Sequence, residues 1–328
     1  SWMIRKVIHD KGGLHNRVTK RIYLKPFNLA ETESFLQSKN IHLDRYQILH
    51  LYMVMGGVPH YLDEIEGGRS TAQNIDAICF SENGLLRDEF SKLYGSLFDN
   101  AASHIKVIRA LGSKRMGMTR AEIVQHSRLP EGGGLSEIME ELQHSGFIAE
   151  YLPFEKKKKD SLFRLTDEFS LFYLYFMENT PAEGNGVWQQ FSQTPSYVAW
   201  AGYTFESICL KHIQQIKKAL GIAGIYTKTA SFVKKGSATE EGFQFDLLID
   251  RNDHVINACE IKFYAAAFQM DKTTALQYRN KIARFKELSQ TNKQVFLTMI
   301  TTFGVRPSPQ SQGLIDVELT MDDLFAPG

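Results

Sequence analysis

Through the first hundred residues, apolar positions recur mostly at intervals of three and four, the spacing that lays one stripe along a helix. The short run Arg21–Leu24 predicts a strand that Pro26 ends. Asn28 predicts an N-cap for a helix over Ala30–Lys39, with Phe35 and Leu36 on its buried side. A second helix is expected over 44–55, where Tyr46, Leu49 and Val54 recur, and Gly56-Gly57-Val58-Pro59 breaks it. Further helices are expected at 72–80 and 85–99. The chain opens on Ser1-Trp2-Met3-Ile4-Arg5-Lys6-Val7, which reads as the interior of a helix with no cap before it; we expect a chain that starts partway into a larger protein.

The rhythm changes after residue 100. Ile105, Val107, Ile108 and Leu111 predict a helix, and Thr119 with Glu122 fits a capping box that opens another over 120–127. Gly132-Gly133-Gly134 predicts a turn. Leu135, Ile138, Met139 and Leu142 then predict a third helix, 134–145, which Gly146 ends. Phe147–Phe154 and Ser161–Leu165 read as two strands around the tip Glu155-Lys156-Lys157-Lys158-Lys159-Asp160. Three helices and a β-hairpin make the winged-helix order. Phe169–Phe176 predicts a packing helix, and Pro181–Asn185 a linker.

From about 198 the order becomes αβββαβ: a helix over 198–219, strands over Gly224–Thr229, Phe243–Asp250, His254–Phe263 and Gln294–Thr301, and a helix over 272–289 before the last strand. That order points to helices packed on one sheet. Alternation places Phe243, Phe245, Leu247 and Ile249 on one face and Asp246 on the other. After a turn at Arg251-Asn252-Asp253, the return strand puts Ile256, Ala258, Glu260 and Lys262 on one side, so a hairpin brings Asp246 alongside Glu260 and Lys262.

These residue types suit phosphoryl chemistry. Two carboxylates, Asp246 and Glu260, can hold Mg²⁺ or Mn²⁺, leaving positions for water and phosphate oxygens. Such an ion lowers the pKa of bound water and stabilises charge growing on phosphorus. Lys262 beside it can orient or deprotonate the attacking water, and Glu206 on the preceding helix can add an acidic group. The bland reading of Glu260-Ile261-Lys262 is a structural salt bridge on a strand.

The spacing D-x13-E-x-K after an acidic helix resembles the PD-(D/E)XK endonuclease-like superfamily. The match lies in Gly202-Tyr203-Thr204-Phe205-Glu206 and Ala258-Cys259-Glu260-Ile261-Lys262-Phe263, with Gln244-Phe245 where the superfamily often has proline. Taken with Pro26-Phe27-Asn28-Leu29 and Gly56-Gly57-Val58-Pro59-His60-Tyr61-Leu62, the whole order resembles the archaeal-type ATPase family, which joins an AAA-type ATPase module, a winged helix and a nuclease-like C-terminal domain of the DUF234 type. The resemblance implies a multidomain α and α/β chain. Residues 1–100 would be a helical remnant of the AAA lid, 101–180 a winged helix-turn-helix, and 181–328 a restriction-endonuclease-like α/β domain. On that alignment Ser1-Trp2-Met3 falls just after the family's sensor strand and Asn16-Arg17 near its conserved arginine. The P-loop pattern G-x-x-x-x-G-K-[ST] does not occur, so no nucleotide-binding residues are expected here. ATP hydrolysis, and oligomerisation through the ATPase module, would belong to the intact parent.

Net charge is +1, so any nucleic-acid surface has to be local. Two candidates stand out. Lys156, Lys157, Lys158 and Lys159 at the hairpin tip can touch phosphates, against the ordinary reading of a solvated charge run. Gln277 and Lys281, with Lys272, Arg279 and Arg284, lie on the helix that faces substrate in many nucleases of this type. Against groove binding, helix 134–145 carries Glu137, Glu140 and Glu141. A regulatory or scaffold protein that binds a protein or DNA through the same parts is therefore the competing expectation. Cys79, Cys209 and Cys259 form no C-x-x-C pair, which argues against a zinc site and suits a reducing cytoplasm. No stretch approaches ~18 apolar residues, so no membrane span is expected.

Overall fold

The computed structural model describes residues 20, 22–180, 186–236 and 240–327. Asn28 caps helix α1 (Leu29–Ser38): its side chain accepts from the Glu31 amide while the Glu31 carboxylate accepts from the Asn28 amide, so two N–H groups left over by the helix are satisfied together. Asp44 caps α2 (Arg45–Met55) in the simpler way. The chain continues through α3 (Pro59–Asp63), α4 (Thr71–Ile75) with a π turn over Asp76–Phe80, and α5 (Glu89–Leu97). The expected strand at Arg21–Leu24 does not form over its described part. Ile22, Tyr23 and Leu24 are exposed and without regular structure, with no strand beside them among the described residues. Strand propensity without a partner to complete the ladder leaves the backbone to water. Positions 1–19, which include Asn16-Arg17, fall outside the described residues.

Helices α6 (Ala101–Gly112), α7 (Arg120–Ser127) and α8 (Gly133–His144) precede the antiparallel hairpin β1 (Ile148–Tyr151) and β2 (Leu162–Leu165). The Thr119–Glu122 capping box is present. Gly133 and Gly134 belong to the first turn of α8 and not to the expected turn. The predicted packing helix becomes α9 (Glu168–Phe172) and a second π turn, Tyr173–Met177. The expected linker, 181–185, lies outside the described residues; immediately after it, α10 (Val187–Phe191) packs back on the helical part. Phe172, Phe176, Trp188 and Trp200 form a knot with centroids 5.1–5.7 Å apart. Such aromatic pairs are worth roughly 0.5–1.5 kcal/mol each beyond their buried area. One set of buried side chains therefore runs without a break from Leu29 to Phe325, across positions 100 and 180.

The expected helix over 198–219 is two: α11 (Pro195–Lys211) and α12 (Ile213–Ala219). His212 marks the break. Its Nδ1–H faces the Ile208 carbonyl at 2.8 Å, and its Nε2 accepts the Leu29 amide at 3.0 Å, so one buried imidazole closes α11 and holds the start of α1.

The five-stranded sheet runs in the order β3 (Thr227–Lys234), β4 (Phe243–Arg251), β5 (Val255–Lys262), β6 (Gln294–Thr301), β7 (Val317–Thr320). The first three strands are antiparallel, and β5, β6 and β7 are parallel, with α13 (Lys272–Ser289) crossing over from β5 to β6. The short α14 (Met321–Leu324) is the last helix among the described residues. Strand β3 lies later than the expected Gly224–Thr229, and β7 is too short to stand out in the sequence. The chain is thus a mixed α/β protein, with α11 against one face of the sheet (Phe205 on Phe263, 5.7 Å) and α13 against the other (Phe285 on Phe245, 5.7 Å).

Candidate functional site

Simple alternation fails at Asp246. Ala230 pairs with Leu248 and Phe232 with Phe245, two steps on β3 against three on β4, so β4 carries one extra residue at Asp246-Leu247. The bulge switches faces: Phe243 and Phe245 pack with Phe285, whereas Leu247 and Ile249 join the α11 side. The expected single face for all four is therefore corrected. The ladder between β4 and β5 stops at Leu247–Cys259, and the Asp246 side chain takes over: its Oδ2 accepts the Ile261 amide at 2.9 Å.

The bulge gathers the predicted residues. Lys262 Nζ lies 3.6 Å from Asp246 Oδ2 and 3.3 Å from Glu260 Oε2. Glu260 is 1% exposed, and its other oxygen meets Lys281 Nζ at 2.5 Å. Lys281 thus turns inward, away from the outer basic face of α13 where the sequence grouped it, because a carboxylate this deep has to be paired. Gln277 stays on the exposed face. Burial raises the Glu260 carboxyl above its ordinary range, and the nearby Asp246 charge adds to the effect. Lys262 is held above its ordinary value; burial works against this, and Asp246 and Glu260 outweigh it.

Glu206, on α11, faces the same space from the opposite wall. A cavity of about 570 Å³ is walled by Asp246 and Lys262 on the sheet, Tyr203 and Glu206 on α11, and Tyr151 and Arg164 on the β1–β2 hairpin. Arg164 Nη1 donates to Glu206 Oε1 at 2.7 Å, with side-chain exposures of 8% and 19%. The guanidinium lies 5.0 Å from the Tyr203 ring and 5.7 Å from the Tyr151 ring. Burial lifts the Glu206 carboxyl; Arg164 draws it back down, and Asp246 pushes it up.

Arg164 is the residue that sequence reasoning missed. The available signal was a lone arginine between Phe163 and Leu165 in a short strand, since a buried arginine requires an acidic partner. Which acid it would meet, 42 residues on, is not written in the strand.

Lys156–Lys159 lie away from this space on the exposed hairpin tip, where residues 158–160 form a 3₁₀ turn. On α8, Glu141 is drawn to His104 at 2.7 Å and Glu140 stands near His144 at 3.5 Å.

Among the described residues, no three His, Cys, Asp or Glu side chains come together as a ready-made metal cluster, and no helix is long and apolar enough to cross a membrane. The cysteines are free and buried. No protein-family model matches the chain, and neither a characterised protein nor a solved structure is significantly similar to it.

Proposed function

We propose that the chain is the C-terminal part of a DNA-associated AAA-type ATPase, and that its α/β region is a PD-(D/E)XK-type phosphodiesterase. The observation that carries the second statement is the convergence of Asp246, Lys262 and Glu206, from β4, β5 and α11, on one cavity, with Glu260 in contact with Lys262. The ATPase statement rests on the resemblance of 26–62 and of the element order; ATP would be bound by the parent's P-loop module, which also would mediate oligomerisation. A cytoplasmic setting accords with three free, buried cysteines.

Asp246 and Glu260 are the carboxylates that would hold a hard divalent cation, Mg²⁺ or Mn²⁺, the ion displacing Lys262 and Lys281 from the Glu260 oxygens. Two carboxylates are the usual protein share for such an ion, and water and phosphate oxygens supply the rest. When bound, the ion would activate water and stabilise negative charge at phosphorus. Lys262, a cation at the mouth of the acidic pair, positions the attacking water or a phosphate oxygen. Glu206 and Arg164 together set the charge of the opposite wall. In this reading the three helices and hairpin form a winged helix whose hairpin walls the site, and Lys156–Lys159 and Gln277 are contacts for DNA outside it.

A specific observation favours a second reading. Glu260 is already engaged by Lys262 and Lys281, and Glu206 by Arg164, as expected of an inactive nuclease-like fold that serves as a scaffold. Calorimetric Mn²⁺ titration and nicking of both single-stranded and plasmid DNA, on wild type and on folded Glu260→Gln and Asp246→Ala proteins, separate the two. Binding and nicking in the wild type, both lost in the variants, support the phosphodiesterase. A folded wild type that binds no Mn²⁺ and nicks nothing sinks it in favour of the scaffold.

A further inference from the structure

We propose that the cavity takes an unpaired polynucleotide segment and excludes a duplex; the proposal draws on the phosphodiester reading for its substrate class and on the cavity's shape for the rest.

The first ground is enclosure. The hairpin is tied down over the sheet, not free beside it: the Phe154 amide donates to the Ser231 carbonyl at 2.8 Å, and the Phe154 ring packs on Phe285 at 5.6 Å. Farther along, Arg164 reaches across to Glu206 on α11. The space left is about 570 Å³, walled on one side by the sheet and α11 and on the other by the hairpin. A duplex presents its phosphates on a body far wider than this. A single strand presents one phosphate and one base at a time.

The second ground is the chemistry of the walls. Met116, Leu152, Val198 and Tyr264 all line the cavity, yet they are 43%, 44%, 69% and 44% exposed, so its mouth is apolar and partly aromatic. Its walls also carry two cations, the buried Arg164 and the partly exposed Lys262. An apolar rim beside two cations matches a splayed nucleotide, whose base face is free to lie on Tyr264 while its phosphate meets the cations. In a duplex, those base faces are stacked on one another and cannot reach the rim.

The third ground is the charge balance. Arg115, Arg164 and Lys262 are matched by Glu150, Glu206 and Asp246 among the lining residues. Affinity then comes mainly from stacking, and two cations facing phosphates give a shallow salt dependence. For a single strand the slope of log K against log[salt] is about −0.7 per phosphate neutralised, so about −1.4 is expected.

Fluorescence anisotropy tests this on the whole chain without divalent cation, using labelled oligo-dT, oligo-rU and a hairpin duplex of equal length. We expect at least one unpaired strand to bind about tenfold or more tighter than the duplex, with the shallow slope above. Which of the two wins tells a DNA strand from an RNA strand. Tyr264→Ala should weaken strand binding about tenfold, the loss of one base–aromatic stack. Val198→Glu, a change at a well-exposed helix position, should weaken it also by placing a carboxylate at the mouth. Equal or tighter binding of the duplex, no binding of either strand, or unchanged affinity in both variants overturns the proposal. So does strand binding that is lost when Lys156–Lys159 are changed to Gln and kept in Tyr264→Ala. The nicking assay is separate: strand binding with no cleavage in Mn²⁺ overturns the phosphodiesterase and leaves the strand site standing.

Discussion

Replacing Arg164 by Met would strand the Glu206 carboxylate opposite a wall with no cation in direct contact. An unpaired buried charge costs about 3–5 kcal/mol, but a carboxyl can limit the damage by taking up a proton. The ordinary value for Glu is 4.5, so keeping the folded carboxyl protonated at pH 7 costs roughly 2.5 pH units at about 1.4 kcal/mol each, or about 3.4 kcal/mol. Losing the guanidinium over the Tyr203 and Tyr151 rings adds about 1 kcal/mol. The sign follows from linkage. In the variant the folded pKa of Glu206 is raised further, so its contribution to stability is intact below about 4.5 and is lost as pH rises. Because the wild-type carboxyl is itself raised, these sums are upper limits: Arg164→Met should cost at most about 4 kcal/mol at pH 7 and at most about 2 kcal/mol at pH 5. Urea denaturation at both values, run alongside Arg164→Met/Glu206→Gln, measures this. The double variant should recover most of the loss at pH 7, since no charge is left to strand. An equal cost at both pH values, or no recovery in the double variant, would refute a buried ion pair as the link between hairpin and α11.

Three further outcomes are expected. Gly57→Ala should cost several kcal/mol or abolish folding in expression and melting trials, because an added Cβ would lie 1.8 Å from the Phe27 carbonyl oxygen, in a segment already fixed by the bond from the Phe27 amide to the Gly57 carbonyl; a normal melting temperature contradicts that packing. Burial pulls the His212 imidazole down to about 4 from an ordinary 6.5, so its contribution is full above 6.5 and falls as the pH drops toward 4. Stability should decline by about 2 kcal/mol from this residue between pH 7 and pH 5, and His212→Gln should flatten that slope in denaturant titrations; an unchanged slope rejects the role of its neutral ring at the α1–α11 junction. Thr119→Ala removes one half of the capping box on α7 and should lower stability by about 1 kcal/mol in the same assay, with near-zero loss speaking against the cap.

What the sequence by itself determined is local. The caps at Asn28 and Thr119 are decided by bonds that span three residues, and so they were legible, as were β6 and the helix over 272–289, whose periodicity needs no partner to be recognised. That Asp246 lies on the strand beside Glu260 and Lys262 was legible because a short turn joins the two strands; the side-chain approach depends on the bulge. The tertiary structure decided the rest. Ile22-Tyr23-Leu24 has the residues of a strand, but a strand exists only beside another, and none lies beside it among the described residues. The extra residue at Asp246-Leu247 depends on how β3 registers against β4, so alternation along one strand could not reveal it. Lys281 lies on an outwardly basic helix in the sequence, yet the burial of Glu260 draws it inward. Arg164 and Glu206 lie 42 residues apart on elements whose local patterns do not mention each other. Their pairing, and the roof it makes over the cavity, exists because low-dielectric surroundings leave a buried charge no other partner.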